Sequence, residues 1–294
     1  MKSILIIGVF CSLATQASAA LSLQAYEADK HHRYANPVDP EDFIGSANNW
    51  TGVGLESGGA TRWATMISAT YFISAAHAAP TVGNDIIFHT DNNPAGTTVA
   101  REVLSITQVG SSDLVIGKLS SAPGPTIAIY AVAADAISPG GFASSVYSDR
   151  EAFVVGRDVG TSTTSFRVGR NELDGFGEFE DLPTIGDAIT FDDDRFTPES
   201  LGADEAYLIS GDSGAPLFVT SGDDLVLTGI HWFNNPAEGG NPRYSGSTFV
   251  PNYVSEINLI LAVGGESLTL VNIPEPSSML CLTLGALTLL LRRR

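Results

Sequence analysis

The sequence predicts an all-β protein, and three features of the chain support this. Short runs of β-branched, aliphatic and aromatic residues recur along it and are separated by Gly, Pro, Asn, Asp and Ser. No long stretch before the C-terminal end has apolar residues at the 3.6-residue spacing of a helix. Between its two terminal segments the chain has about 250 residues, enough to bury a sizeable core. Many short strands of this kind are typical of a barrel or a sandwich.

Five predicted strands lie in the first half of the chain. Residues 64–68 and 71–74 are two apolar runs with a short break between them, and residues 86–90 lie between clusters of Gly, Asn and Asp. Residues 103–109 mix apolar and polar side chains and end at a glycine, and residues 114–119 are rich in Leu, Val and Ile. Runs of this composition, bounded by turn residues, are typical of strands.

Four more strands and one helix are predicted in the second half. The strands are residues 152–155, 165–168, 225–230 and 247–250, each next to Gly, Asp or Pro. Residues 252–262 carry apolar side chains at Val254, Ile257, Leu259, Ile260 and Leu261. That spacing predicts a short amphipathic helix packed on the second half of the domain. The stretch Ser138-Pro139-Gly140-Gly141 is where a linker between two halves would lie.

The N-terminal segment has the pattern of a cleaved signal peptide. Residues 1–19 combine Lys2, an apolar stretch and the A-x-A motif Ala17-Ser18-Ala19. We therefore expect the mature chain to begin near Ala20. The two cysteines, Cys11 and Cys281, lie in the terminal segments, so the mature domain is expected to hold no disulfide.

The C-terminal segment, residues 274–294, has three parts: Pro274-Glu275-Pro276, an apolar run over residues 279–291, and three terminal arginines. The apolar run spans roughly 20 Å, short of the about 30 Å of a bilayer core. The pattern resembles the PEP-CTERM sorting signal. That resemblance implies processing by an exosortase-type enzyme and export to the cell surface or beyond in a Gram-negative bacterium. The arginines would stay cytoplasmic, which implies a transient association with the inner membrane. A plain C-terminal tail anchor is the alternative.

The charge of the chain excludes one class of partner. Its formal net charge is −18, and 11 basic against 32 acidic residues remain once Lys2, Glu275 and the three terminal arginines are set aside. A surface this acidic does not bind phosphate, so nucleic acid is not expected as a partner. Asp192-Asp193-Asp194 lacks the spacing of a calcium loop, because consecutive side chains cannot all face one ion. No metal and no cofactor are predicted.

Three motifs carry candidate chemistry. They are Ser74-Ala75-Ala76-His77-Ala78, Ser112-Asp113-Leu114-Val115 and Ser210-Gly211-Asp212-Ser213-Gly214-Ala215-Pro216-Leu217. A serine hydroxyl becomes a nucleophile when a histidine takes its proton and a buried carboxylate orients that histidine. Taken singly, His77 could be a packed histidine and Asp113 a solvated turn residue. The glycines flanking Ser213 permit positive φ and let the amides of Gly211 and Ser213 converge as an oxyanion hole.

In this order and with these flanks, the motifs resemble those of trypsin/chymotrypsin-like serine peptidases. The resemblance implies that His77, Asp113 and Ser213 are the catalytic triad of a secreted or cell-surface endopeptidase acting on proteins or peptides. An α/β-hydrolase is excluded, because its acid and histidine follow the serine and its motif places Gly where Ala215 stands. The alternative is a catalytically silent protein of the same fold that binds partners at the cell surface or in the extracellular matrix.

The resemblance also implies the domain organisation. The family has two six-stranded Greek-key β-barrels with the triad in the cleft between them, and it ends with a short helix. It would cover residues 44–262, with the first barrel at about 44–136 and the second at about 146–262. Residues 20–43 form a leader of unknown role, in which His31 and His32 are expected to be exposed and without function, and residues 263–273 form a linker.

Two departures from the family concern specificity and activation. Tyr207 stands six residues before Ser213, where trypsin has an aspartate, so trypsin-like cleavage is not expected. The segment Gly229-Ile230-His231-Trp232 resembles the strand of bacterial glutamyl endopeptidases in which a histidine contacts an acidic P1 side chain. The candidate substrate-binding residues are Tyr207, Leu208, His231 and Trp232. His231 is either a specificity residue or a packed core histidine, and Leu208 departs from the hydroxyl residue of those enzymes.

In trypsin-like members, cleavage frees an Ile or Val amino terminus that pairs with the aspartate before the nucleophile, here Asp212. The nearest candidate for such a terminus is Ile44, but Phe43 precedes it where a basic residue would normally stand. Either another peptidase cuts at this bond, or Asp212 has a different partner. The sequence favours a different partner.

Overall fold

The computed structural model describes residues 20–37, 40–58, 62–160, 162–181, 183–195, 197–235 and 243–275. The predicted signal peptide and the sorting segment from residue 276 onward lie outside these ranges. The described chain is built mostly of β-strands, which confirms the predicted fold class. No helix in the described ranges is long and apolar enough to span a membrane.

The strands, in chain order, are β1 (Ser22–Leu23), β2 (Val53–Glu56), β3 (Trp63–Met66), β4 (Tyr71–Ala75), β5 (Asp85–His89), β6 (Thr98–Gln108), β7 (Leu114–Leu119), β8 (Ala131–Ala133), β9 (Glu151–Gly156), β10 (Arg167–Glu172), β11 (Gly175–Asp181), β12 (Thr184–Asp192), β13 (Ala206–Tyr207), β14 (Pro216–Ser221), β15 (Asp224–Asn235), β16 (Tyr244–Phe249) and β17 (Leu270–Val271). The α-helices are α1 (Ala28–His31) and α2 (Val254–Leu261). Short 3-10 turns occur at Pro40–Asp42, Phe142–Ser144, Gly202–Asp204, Val250–Tyr253 and Ala262–Gly264.

The predicted strands overlap observed ones, and β7 has the predicted bounds. The predicted C-terminal helix is α2, continued by the 3-10 turn Ala262–Gly264. The hairpin of β11 and β12 was not predicted. β11 is rich in glycine and acidic residues, which strands disfavour, and it forms because all of it pairs with β12.

Six strands close into a barrel in the first half, in the order β2-β3-β4-β7-β6-β5. Its interior is packed closely enough to require a glycine at one position. A Cβ on Gly117 of β7 would lie 2.0 Å from Cζ of Phe72, which is fully buried. Closure leaves the barrel without a free strand edge.

The second half forms a nine-stranded sheet. Seven strands follow the order β10-β9-β14-β15-β16-β12-β11, β8 pairs in parallel with β15, and β17 pairs in parallel with β8. One hydrophobic cluster contains residues of both halves. At its centre the Trp50 ring packs edge-on against Phe153, Phe166 and Phe218, at centroid distances of 5.6, 5.9 and 6.0 Å. This shared core fixes the position of one half against the other.

The leader, residues 20–43, is part of the folded domain. β1 pairs with β13, and Leu21, Tyr34 and Phe43 are buried. The expectation that His31 is exposed is wrong: it is fully buried, and its Nε2 lies 3.1 Å from Oδ1 of Asp204. Residues 263–273, expected to form a linker, contribute β17 to the second sheet.

Candidate active site

His77 and Asp113 meet at one end of the strand pair β4 and β7. Ala75, the last residue of β4, pairs with Leu114, the first residue of β7. His77 follows β4 by two residues and Asp113 directly precedes β7, so the pairing of these strands brings the two side chains together. His77 and Asp113 are 36 residues apart in the sequence, and the pairing of β4 with β7 brings them into contact.

The carboxylate of Asp113 holds His77 at two points. Its Oδ1 accepts a hydrogen bond from the His77 backbone amide at 3.0 Å, and its Oδ2 lies 2.7 Å from Nδ1 of the ring. The Asp113 side chain is fully buried, whereas 42% of the His77 side chain is exposed. Because the carboxylate is an acceptor, the geometry assigns the Nδ1–H tautomer to a neutral ring, which leaves Nε2 as its acceptor.

Ser213 lies on a turn between β13 and β14 that packs against the end of β4. Gly211 and Gly214 have φ of +103° and +86°, in the region that favours glycine. A Cβ on Gly214 would lie 2.8 Å from Oγ of Ser74 and 3.4 Å from the amide of Ala75. The turn therefore contacts β4 two residues before His77.

No hydrogen bond joins Ser213 to His77 in the described part of the chain, where the ring is held by Asp113. Catalytic hydrogen bonds are often long without substrate and shorten when it binds.

In the turn that carries Ser213, backbone amides that donate a hydrogen bond alternate with amides that donate none. The amide of Asp212 donates to the carbonyl of Ile209 at 3.1 Å, and that of Gly214 donates to the carbonyl of His231 at 2.9 Å. The amides of Gly211 and Ser213 donate to no acceptor among the described residues. They are the two amides that the sequence analysis assigned to an oxyanion hole.

Asp212 is fully buried and held by backbone amides. Its Oδ1 accepts from the amide of Arg157 and its Oδ2 from the amide of Ile209, both at 2.9 Å. Burial raises the pKa of Asp212 to about 7, while the two amides and the Arg157 charge act in the opposite direction. The amide of Ile44 donates to the carbonyl of Lys30 at 3.0 Å. In the uncleaved chain, the amides of Arg157 and Ile209 are the partners of the Asp212 carboxylate.

A cavity of about 240 Å³ opens beside Ser213. It is lined by Asp181, Leu208, Ile209, Ser210, Ser213, His231, Trp232, Phe233 and Asn234. Of the four candidate substrate-binding residues, Leu208, His231 and Trp232 are in this lining. Tyr207 is not: its ring is buried, and its hydroxyl donates to the carbonyl of Asn235 at 3.0 Å.

His231 is fully buried in the wall of this cavity. Its Nδ1 lies 2.8 Å from Oγ of Ser247, and its Nε2 is buried without a hydrogen-bond partner in the described ranges. Burial lowers the pKa of His231 to about 3. The ring is therefore neutral at physiological pH.

Two residues of the site were missed by sequence reasoning. Asp181, at the end of β11, lies in an acidic stretch that has the composition of a solvated loop. Arg157, directly after β9, packs against Gly211. Both reach the site through tertiary contacts, and no local pattern in the sequence could have identified them.

The C-terminal residues 272–294 match the PEP-CTERM protein-sorting motif, which confirms the predicted sorting signal. No curated protein matches the chain. Among solved structures, the chain is similar to the NS6 protease of murine norovirus 1, with 17% identity over 68% of this chain and 90% of that chain, and a TM-score of 0.44. It is also similar to the inactive form of the Rv3671c protease, with 15% identity over 79% of this chain and 95% of that chain, and a TM-score of 0.46. At this level of similarity, the chemistry of the chain must be inferred from its own geometry.

Proposed function

We propose that the protein is an exported serine endopeptidase that hydrolyses peptide bonds through Ser213, His77 and Asp113. The observation that supports this proposal is a contact between two parts of the structure. One is a histidine held by a buried carboxylate. The other is a glycine-flanked serine turn with two unused amides. This is the arrangement that acyl transfer by a serine requires.

In the proposed mechanism, Nε2 of His77 takes the proton of the Ser213 hydroxyl as Oγ attacks the carbonyl carbon of the substrate. The amides of Gly211 and Ser213 hydrogen-bond the oxyanion of the tetrahedral intermediate. Asp113 stabilises the imidazolium, and His77 then gives its proton to the leaving amine. Water hydrolyses the resulting acyl-enzyme by the same steps, with His77 again as base and then acid. No cofactor takes part in this mechanism.

We further propose that the cavity beside Ser213 disfavours a negatively charged P1 side chain. Leu208 and Trp232 supply apolar walls, and the neutral ring of His231 offers no positive charge to a P1 carboxylate. Asp181 adds a carboxylate to the lining, which disfavours an acidic P1 residue.

The sorting motif supports the proposal that the protein acts outside the cytoplasm. Proteins with this motif are processed by an exosortase-type enzyme, and the substrates would then be proteins or peptides at the cell surface or in the medium. A transient inner-membrane association before processing is part of the same proposal.

A fluorophosphonate probe tests the function on the full exported chain. We expect one adduct on Ser213, located by mass spectrometry. Ser213→Ala and His77→Ala should each lose labelling and reduce kcat on peptide substrates by on the order of 10⁶-fold, and the double variant by little more, because the triad acts as a unit.

Ser221→Ala, at the end of β14 and outside the triad, is the matched control and should label normally. A folded parent protein that does not label would contradict the proposal and indicate a silent binding protein of the same fold.

A further inference from the structure

The turn that carries Ser213 is hydrogen-bonded to the first half of the domain through Trp63. The Nε1–H of the Trp63 indole donates to the carbonyl of Gly211, with 3.3 Å between the nitrogen and the oxygen. Trp63 is the first residue of β3 and is fully buried. A buried indole N–H needs an acceptor, and this acceptor belongs to a residue whose own amide donates to no acceptor among the described residues.

The position of the indole ring is set by packing from both halves. The backbone of Trp63 pairs with Leu55 of β2 in the first half. From the second half, the Phe166 ring packs edge-on against the indole at a centroid distance of 5.6 Å. Trp63 and Phe166 belong to the hydrophobic cluster that both halves share. Because the ring is enclosed in this cluster, the direction of its N–H is fixed.

The carbonyl of Gly211 and the amide of Asp212 belong to the same peptide group. That amide donates to the carbonyl of Ile209 at 3.1 Å, so both polar atoms of the group are hydrogen-bonded. Gly211 has a φ of +103° and no side chain that could restrain its backbone. The hydrogen bond from Trp63 therefore supplies a restraint on the carbonyl side of Gly211.

The strand next to β3 leads to His77. β3 pairs with β4, and His77 follows β4 by two residues. The turn meets the first half at both strands, because Gly214 packs against Ser74 of β4 and Gly211 accepts from Trp63 of β3. The base and the nucleophile of the proposed mechanism lie on different halves. Their relative position depends on contacts of this kind.

We infer that Trp63 is a positioning residue of the oxyanion hole, whose indole N–H holds the Gly211 carbonyl and thereby orients the Gly211 amide toward the substrate oxyanion. This inference rests on the proposed function. A donor that is already oriented stabilises developing charge without reorganising during the reaction, and this advantage is lost when the donor can rotate. Trp63 acts through Gly211 and does not contact the reacting atoms.

Trp63→Phe tests the inference on the full exported chain, because it keeps an aromatic ring and removes the N–H. We expect kcat to fall by about tenfold while KM stays within about twofold of the parent value, since the affected group acts on the transition state. Binding of a peptide boronate, which mimics the tetrahedral intermediate, should weaken by a similar factor. A peptide with a methylene group in place of the scissile carbonyl should bind both proteins equally.

Trp50→Phe is the matched control. It also removes a buried indole N–H, which donates to the carbonyl of Gly45 at 2.7 Å within the same hydrophobic cluster. Both variants should melt at a lower temperature than the parent, but only Trp63→Phe should lose kcat and boronate affinity. Equal losses of kcat in the two variants would overturn the inference, as would a folded Trp63→Phe with parental kcat and boronate affinity.

Two further measurements apply even where Trp63→Phe does not fold. Benzothienylalanine at position 63 replaces the indole N–H by sulfur with little change of ring shape, and it should cause the same loss of kcat. In the parent, whose three tryptophans give three indole N–H signals in NMR spectra, the Trp63 signal should shift when the boronate binds and the Trp50 signal should not. Parental kcat with benzothienylalanine, or a Trp63 signal that does not shift, would overturn the inference.

Fluorophosphonate labelling separates the two proposals. A folded parent that does not label contradicts the proposed function itself. A parent that labels, together with unchanged kinetics when the N–H of Trp63 is removed, contradicts only the role of Trp63.

Discussion

At the scale of single residues, His231 shows how burial changes what a side chain can do. Its strand resembles one that contacts acidic P1 side chains, but the ring is fully buried and its pKa is lowered to about 3. A neutral imidazole offers a hydrogen bond without a charge, so it does not select a carboxylate over an amide.

We therefore predict that the parent cleaves after uncharged P1 residues such as Gln or Leu at least about tenfold faster than after Glu, at pH 8 and low salt. Asp181→Asn should raise cleavage after Glu several-fold, because it removes a carboxylate from the cavity lining. A peptide library with varied P1 measures both effects. A parent that prefers Glu, and loses that preference in His231→Ala, would show that His231 is a specificity residue.

At the scale of elements, the turn before β13 carries two neighbouring carboxylates whose pKa values are shifted in opposite directions. Asp204 is buried, but hydrogen bonds from Lys30, Arg170 and His31 outweigh that burial and lower its pKa to about 2. Glu205 is 1% exposed, and burial together with nearby acidic side chains raises its pKa to about 7. The Asp204 carboxylate attaches the leader to the nine-stranded sheet. The Glu205 carboxylate opposes folding once it is ionised.

The raised pKa of Glu205 predicts that the free energy of unfolding depends on pH. Its folded pKa is above the unfolded value, so its favourable contribution is complete below about pH 4 and is lost as pH rises through about 7. Glu205→Gln keeps an acceptor for the Leu201 amide and should stabilise the protein at pH 8, by on the order of 1–3 kcal/mol.

Thermal melts of parent and variant at pH 5 and pH 8 measure this effect. The difference between them should shrink at pH 5. Glu102→Gln, an exposed carboxylate on β6 with no ion pair among the described residues, is the matched control. Equal melting temperatures of parent and Glu205→Gln at pH 8 would contradict the prediction.

At the scale of the whole molecule, the sorting motif begins where the folded domain ends. Ile273 is buried, and its amide donates to Oδ2 of Asp135 at 2.7 Å. The Arg150 guanidinium donates to the carbonyl of Pro274. Processing that leaves Ile273 in place therefore preserves the contacts of the domain.

We predict that the native mature protein ends near residues 274–276 and is found outside the cell or on its surface. Mass spectrometry of the C-terminus measures this, and an intact Arg294 in most molecules would indicate a permanent anchor instead. A chain truncated after Glu275 should melt as the processed protein does. A matched truncation after Leu268 should melt lower, because it removes β17 and Ile273 from the second sheet.

Several elements and the candidate site could be predicted from local patterns in the sequence. Turn residues and apolar runs located nine strands and α2, and the flanks of His77, Asp113 and Ser213 indicated the candidate site. The terminal motif was readable because it is contiguous. Each of these signals lies within a few neighbouring residues.

Contacts between residues that are distant in the sequence became visible only in the folded chain. It brought Arg157 to Gly211, gave Asp212 two amide donors, and buried His31 against Asp204. It also made His231 neutral, because a pKa depends on what surrounds the ring and not on the residues beside it in the chain. Contacts between residues far apart in sequence follow from barrel closure and sheet pairing, which no local pattern specifies.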